Sequence, residues 1–347
     1  MVRIRRRRIN RCPAARYLRH SRRRSRRRFS HGHAVRLDPG RRGFTLIELI
    51  VATVLATLVG SALMMTLRGQ ERIYAAAAEV MQVRAQLRDA ADVLAADIRG
   101  AAVARYGLPL MTDSAMELFT AIGSSVVCAA PVGKTLFLPP PRLSSGTVLT
   151  SFLASADTGD LALIYAMPAG QPDSGRWVES RIAAFATRSV NTTCPAATGF
   201  TTDADAAAQT GYAVTLPAAP PASVRKGAPV RFLRRARYSL YRSSDGQWYL
   251  GFRRCNAIGP SVCGTIQPVS GPYLPYERQG AASGGMAFRY FDSGGDEVVD
   301  ALLSPTISRV DVVLRGETAR AVSLAGDARL RYRDSAIVSV SPRNRAR

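Results

Sequence analysis

Histidine is missing from residues 44–347: His20, His31 and His33 are the only three in the chain. That stretch therefore has no imidazole for general acid–base work or for metal ligation at neutral pH. Lysine is nearly absent too, with Lys134 and Lys226 alone, so arginine carries the positive charge. Acids are sparse, at 25 against 48 basic residues. No nucleophile elbow, phosphate-binding loop, HExxH or paired CxxC is present, which leaves an enzyme without a recognisable catalytic constellation. Aromatic residues make up only 7% of the chain.

The net charge of +23 is unevenly distributed. Residues 1–43 hold 17 arginines and one acid, Asp38, and account for +16; the remainder carries +7. The arginine runs of residues 1–40 have no capacity to build a core and are expected to be disordered. Charge alone would let them bind nucleic acid or anionic lipid, and they superficially resemble a twin-arginine signal. The plainer alternatives are a long cytoplasmic leader or a start codon placed too far upstream.

What the chain does have is a run from Phe44 to Leu67, 24 residues in which Glu48 is the only charge. As a helix it would span roughly 36 Å, enough to cross a hydrocarbon core of about 30 Å. Arg41 and Arg42 precede it and predict that the N-terminal side stays cytoplasmic. An ionised carboxylate inside a membrane helix costs about 2.5–3.5 kcal/mol or more, so Glu48 requires a partner. A cut after Gly43 would supply one. Phe44 would then carry an ammonium, four residues from Glu48 on the same helix face, or would offer that ammonium to an adjacent copy.

Gly43-Phe44-Thr45-Leu46-Ile47-Glu48 closely resembles the processing site of type IV prepilins and of the pseudopilins of type II secretion. In that family a membrane aspartyl peptidase cuts after the glycine and methylates the new phenylalanine amine. The resemblance implies cleavage between Gly43 and Phe44, N-methylation at Phe44, and a role in assembly for Glu48. The implied architecture is α+β and pilin-like: a long N-terminal helix packed on a mostly antiparallel sheet. The segments expected are a leader (1–43, removed), a membrane or filament-core helix (44–67), its amphipathic continuation (68–100) and a β-rich periplasmic domain (101–347).

The pattern within those segments agrees. Ile73, Val80, Leu87 and Leu94 recur every seven residues, with Val83, Ala90 and Ile98 completing an apolar stripe, so one helix is predicted from Phe44 to about Arg99. Gly60 and Gly69 are points where it could bend, and Gly100 is a candidate C-terminal cap. Beyond it, strands are predicted at 134–138, 161–167, 177–187, 211–216, 230–241, 247–254, 286–291, 307–314 and 329–340. Ser243-Ser244-Asp245-Gly246 reads as a hairpin turn, and 195–228 as a stretch holding an exposed loop. Trp177, Trp248, Tyr249, Phe252, Phe288, Tyr290 and Phe291 are read as core.

Cys128, Cys194, Cys255 and Cys263 form an even set in a domain expected to face an oxidising compartment. Of the three pairings possible, Cys128–Cys194 with Cys255–Cys263 is favoured. Loop-closure entropy would then contribute about 4 and 2.5 kcal/mol. Unpaired buried thiols and a four-thiolate metal site are the alternatives. No cofactor is expected. Asp292, Asp296, Glu297 and Asp300 form a Gly-rich acidic cluster that could wrap Ca²⁺, although an ordinary hairpin turn explains it as well.

Residues 87–101, Tyr238–Tyr241, Trp248–Leu250, Phe288–Asp292, Val310–Leu314 and the Pro342-Arg343-Asn344 ending resemble J-type pseudopilins and W-type minor pilins. That resemblance implies a minor pilin or pseudopilin taking part in assembly or initiation of a type IV pilus or a type II secretion pseudopilus. The partners implied are prepilin peptidase, other minor and major pilins or pseudopilins, and an inner-membrane assembly platform. The location implied is single-pass in the inner membrane and then on the filament. The rival reading is a pilus-borne adhesin or a DNA-capture pilin, the only reading in which nucleic acid is a partner. It would require a basic or aromatic patch among residues such as Arg231, Arg234, Arg235, Arg237, Arg253 and Arg254.

Overall fold

The computed structural model describes residues 44–168, 174–277, 284–322 and 330–343. The leader, Gly43 and the ends of two expected segments (Arg329 and Asn344) lie outside them. The chain forms two compact units that divide between Leu63 and Met64.

In the first unit the described residues are the start of helix α1 (Leu46–Gly100, 55 residues). The apolar side chains of residues 46–63 are exposed, and α1 is long and apolar enough to cross a membrane. Its hydroxyls return their protons to the helix. Thr53 donates to the Ile50 carbonyl at 2.9 Å, Thr57 to that of Val54 at 2.8 Å, and Ser61 to that of Leu58 at 2.8 Å. In hydrocarbon, where no water can serve them, this keeps each of these donors satisfied.

The second unit is a helix-on-sheet domain. α1 continues through Gly69 and is followed by α2 (Val103–Tyr106). The strands are β1 (Leu110–Met111), β2 (Ala115–Val126), β3 (Ala129–Val132), β4 (Thr135–Leu138), β5 (Ser151–Phe152), β6 (Leu161–Ala166), β7 (Arg176–Arg181), β8 (Ala184–Ser189), β9 (Thr210–Thr215), β10 (Pro229–Arg242), β11 (Trp248–Cys255), β12 (Gln267–Tyr273), β13 (Met286–Phe291), β14 (Arg309–Glu317) and β15 (Arg333–Val340). Short helices α3 (Val190–Thr193) and α4 (Asp203–Ala208) lie between β8 and β9. The large sheet runs β1-β2-β10-β11-β12-β14-β13, with β5 added on β2, β6 on β10, β7 on β6 and β15 on β14; the small sheet runs β3-β4-β9-β8. Every strand pairing is antiparallel.

β10 organises both cores. Tyr238 and Ala236 face α1 and join Leu87, Leu94 and Ile98 in the main core. Val230 and Phe232 join Leu136, Leu138 and Val214 of the small sheet in a second core. There Phe152, Phe185, Tyr212 and Phe232 pack ring against ring at centroid distances of 5.3–6.3 Å. A bulge between Phe232 and Leu233 adjusts the register against β2.

The opposite face of the large sheet holds Glu117, fully buried, between Arg235 and Arg237. Arg237 reaches it at 2.7 Å, and Ser261 donates to it at 2.9 Å. Removing one member of such a buried cluster typically costs about 3–5 kcal/mol, because a charge is left uncompensated.

Several expectations change. The stripe on α1 becomes buried only from Val83: Ile73 is 67% exposed and Val80 is half-buried. Ile73 lies one heptad or more before the first fully covered turn, so periodicity alone overextends the contact. α1 is unbroken at Gly60 and Gly69, and Gly100 is its last residue rather than a cap beyond it. The predicted strand 177–187 is two strands, β7 and β8, which belong to different sheets. Residues 195–228 include α4, held by a capping box between Thr202 and Asp205, as well as β9. The hydrogen bonds that Asp205 accepts from the Ser144 and Thr202 amides hold its carboxylate down to about 2. The Asp245-Gly246 turn joins β10 to β11, with Gly246 at φ 80°, a conformation that favours glycine. Phe288, Tyr290 and Phe291 are core, whereas Trp177, Trp248, Tyr249 and Phe252 are only half-buried.

One half-buried acid ties the helix to the sheet. Tyr238 donates to Asp97 Oδ2 at 2.5 Å, and Thr120 donates to the Asp97 carbonyl at 3.1 Å. Burial holds the Asp97 carboxyl above the usual carboxylate range, opposed by these hydrogen bonds and by Arg234. A carboxyl raised on folding favours the native state at low pH, and that contribution is lost as pH rises from about 3.8 through the folded value. Asp97→Asn keeps an acceptor for Tyr238 without the charge. Its melting temperature should match or fall below that of the wild type near pH 3 and exceed it at pH 7. Thermal melts across that range check the crossover.

Candidate functional site

The candidate site is the start of α1. Thr45 occupies the N-terminal cap, and its carbonyl accepts from the Leu49 amide at 3.2 Å. Its hydroxyl accepts from the Glu48 amide at 3.3 Å. In return Glu48 Oε2 accepts from both the Thr45 amide and the Thr45 hydroxyl, each at 3.0 Å. This reciprocal pair is a capping box, built on the Thr-x-x-Glu spacing, and it satisfies amides that have no partner within the helix. Sequence reasoning missed Thr45, although its signal was present in that spacing.

The arrangement has a chemical consequence. Both Thr45 donors converge on Oε2, and Oε1 has no partner among the described residues. Glu48 thus enters the apolar run partly satisfied, with one oxygen open to a cation. Phe44, four positions earlier, is 86% exposed, so the first helical turn is accessible to a processing enzyme or to a neighbouring subunit.

A family model for the prokaryotic N-terminal methylation motif matches residues 38–64. The chain is a type IV prepilin-like protein. The match takes in Gly43, the whole Thr45–Glu48 box and most of the apolar run. Neither the curated proteins nor the solved structures contain a match to the chain. The motif marks this prepilin-like protein for membrane anchoring, processing by prepilin peptidase and assembly with other pilins.

The domain carries the remaining candidate residues. Cys128 and Cys194 are bonded to each other, as are Cys255 and Cys263. The first bond fastens the chain after β2 to the end of α3, inside a small buried cluster with Val190 and Ala206. The second closes a loop over Glu117. Glu117 lies close to both of these sulfurs, but their bond to each other takes up the thiolates a metal would need.

The four acids considered for Ca²⁺ are used separately. Asp292 Oδ1 accepts from the amides of Gly294, Gly295 and Asp296 at 2.8–3.0 Å, which makes a turn. Glu297 forms a two-point pair with Arg289. Asp300 caps the following turn through the Leu302 amide at 2.9 Å. These carboxylates are not gathered into a three-ligand group among the described residues.

The arginines needed for a basic patch are largely neutralised. Arg234 and Arg254 hold Asp160, Arg254 also holds Asp157, and Arg235 and Arg237 hold Glu117. Arg231 instead stacks on Trp177 at 5.0 Å.

Proposed function

We propose that this protein is a minor, structural subunit of a type IV pilus or type II secretion pseudopilus. Once processed after Gly43, it joins the filament through α1 and helps initiate assembly. The observation that carries this reading is the preorganised Glu48 carboxylate, with one oxygen open inside an apolar helix whose motif is that of processed prepilins. A new ammonium at Phe44, from this chain or the next, is the cation that fits it. The domain would then stand on the periplasmic side, consistent with Arg41 and Arg42 preceding the span and with two disulfides.

A DNA-capture role gains little support, because four of its six candidate arginines already hold buried or partly buried carboxylates.

The test is genetic and structural together. Removing this protein from its native host should lower the number of surface filaments, while those that remain keep normal width and length. Filament counts by electron microscopy that stay unchanged would refute the initiation role.

A further inference from the structure

Two surfaces of the domain are complementary and unused. The first is a groove of about 520 Å³ on the face of the large sheet away from α1. Its floor is apolar (Ala121, Leu163 and Leu233), and its walls are Trp177, Leu153 and Arg231. Leu153 is 87% exposed. Arg231 is exposed and has no carboxylate partner among the described residues; its guanidinium lies over the Trp177 ring. The second surface is a knob on the turn after β13. Leu302 and Leu303, in a short 3-10 turn (Ala301–Thr306), are 86% and 53% exposed, and Val299, just before that turn, is 85% exposed. Asp296 and Asp300 flank them, and no arginine pairs with either among the described residues.

In a domain with an excess of arginine, an acid-rimmed apolar knob matches an arginine-rimmed apolar groove. The groove has room for about three aliphatic side chains, each roughly 100 Å³, at the packing density of protein interiors. The two surfaces lie on either side of α2. Arg105 of α2 lines the groove, while Gly107, just after α2, sits against Ser304 and Pro305 on the inner side of the knob.

We propose that two copies of this domain dock face to face, each seating Val299, Leu302 and Leu303 in the other's groove, with Asp296 set against Arg231. Because knob and groove are neighbouring patches on one domain, a two-fold axis uses each once and closes the contact at a dimer. The contact goes beyond the filament role and does not depend on it.

The test is cross-linking between two differently tagged full-length copies in host membranes, with Cys12→Ser in both. One copy carries Leu153→Cys and the other Leu302→Cys. Both positions are solvent-exposed, so folding should be undisturbed. A mixed dimer is expected, and a copy carrying both Leu153→Cys and Leu302→Cys should cross-link to a dimer with no ladder above it. Arg231→Glu or Asp296→Arg in both copies should each reduce it about tenfold or more, because a like charge then faces the contact. Combining the two reversals should restore it. A missing cross-link, one that ignores the single reversals, or a double variant without recovery would each overturn the proposal, and a ladder would overturn the two-fold closure. The same cross-link should persist in Glu48→Ala copies that fail to enter filaments; its loss there would show a contact made only within the filament and would overturn the proposal's independence from assembly.

Discussion

Gly43→Ala should leave the protein at its precursor mass. A methyl group at the residue before the cut would displace the scissile carbonyl in the peptidase expected to act here. A misplacement of about 1 Å is enough to lower a rate about 100-fold. Intact-mass measurement on protein recovered from its native host should show the wild type beginning at a methylated Phe44, and the variant still carrying its leader. A variant of mature mass would remove the basis for any ammonium at Phe44. The membrane span itself is untouched by the substitution, so insertion should be normal and the defect confined to processing.

Glu48→Ala should insert and be cleaved, yet fall out of sheared filaments. Removing one partner of a buried ion pair costs about 3–5 kcal/mol, which corresponds to a loss of roughly a hundredfold or more in the incorporated fraction. The capping box complicates this reading, since Glu48 also ties down the Thr45 amide and hydroxyl. Glu48→Gln separates the two roles. Glutamine is competent at this position of a capping box, so the helix start survives while the charge does not. Quantitative immunoblots of sheared filaments should show Glu48→Gln nearly as depleted as Glu48→Ala. Wild-type levels of the Gln variant would mean that capping is sufficient and that no ammonium needs to be met. Thr45→Ala tests the converse: it weakens the box but leaves the charge, and its depletion should be the mildest of the three.

The two roles also fit a sequence of events. Before a neighbour arrives, the Thr45 donors lower the cost of holding a carboxylate in hydrocarbon. When an ammonium becomes available, Oε1 can receive it without breaking the box.

Local patterns suffice for much of this protein. The span, its lone acid, Gly43 and the length of α1 are all readable in the chain, because a membrane helix must satisfy its own backbone and therefore follows composition and length. The Asp245-Gly246 hairpin is legible for a similar reason: its φ requirement is local. β2 is different. Its 12 residues include Glu117, Gly123, Ser124 and Ser125, which locally argue against a central strand. It becomes one only because β10, more than a hundred positions later, brings Arg235 and Arg237 to Glu117. Likewise, the division of 177–187 between two sheets, the point where the helical stripe becomes buried, and the facing of groove and knob to either side of α2 depend on contacts between distant segments. Periodicity shows which residues can share a face; only the assembled fold decides what that face meets.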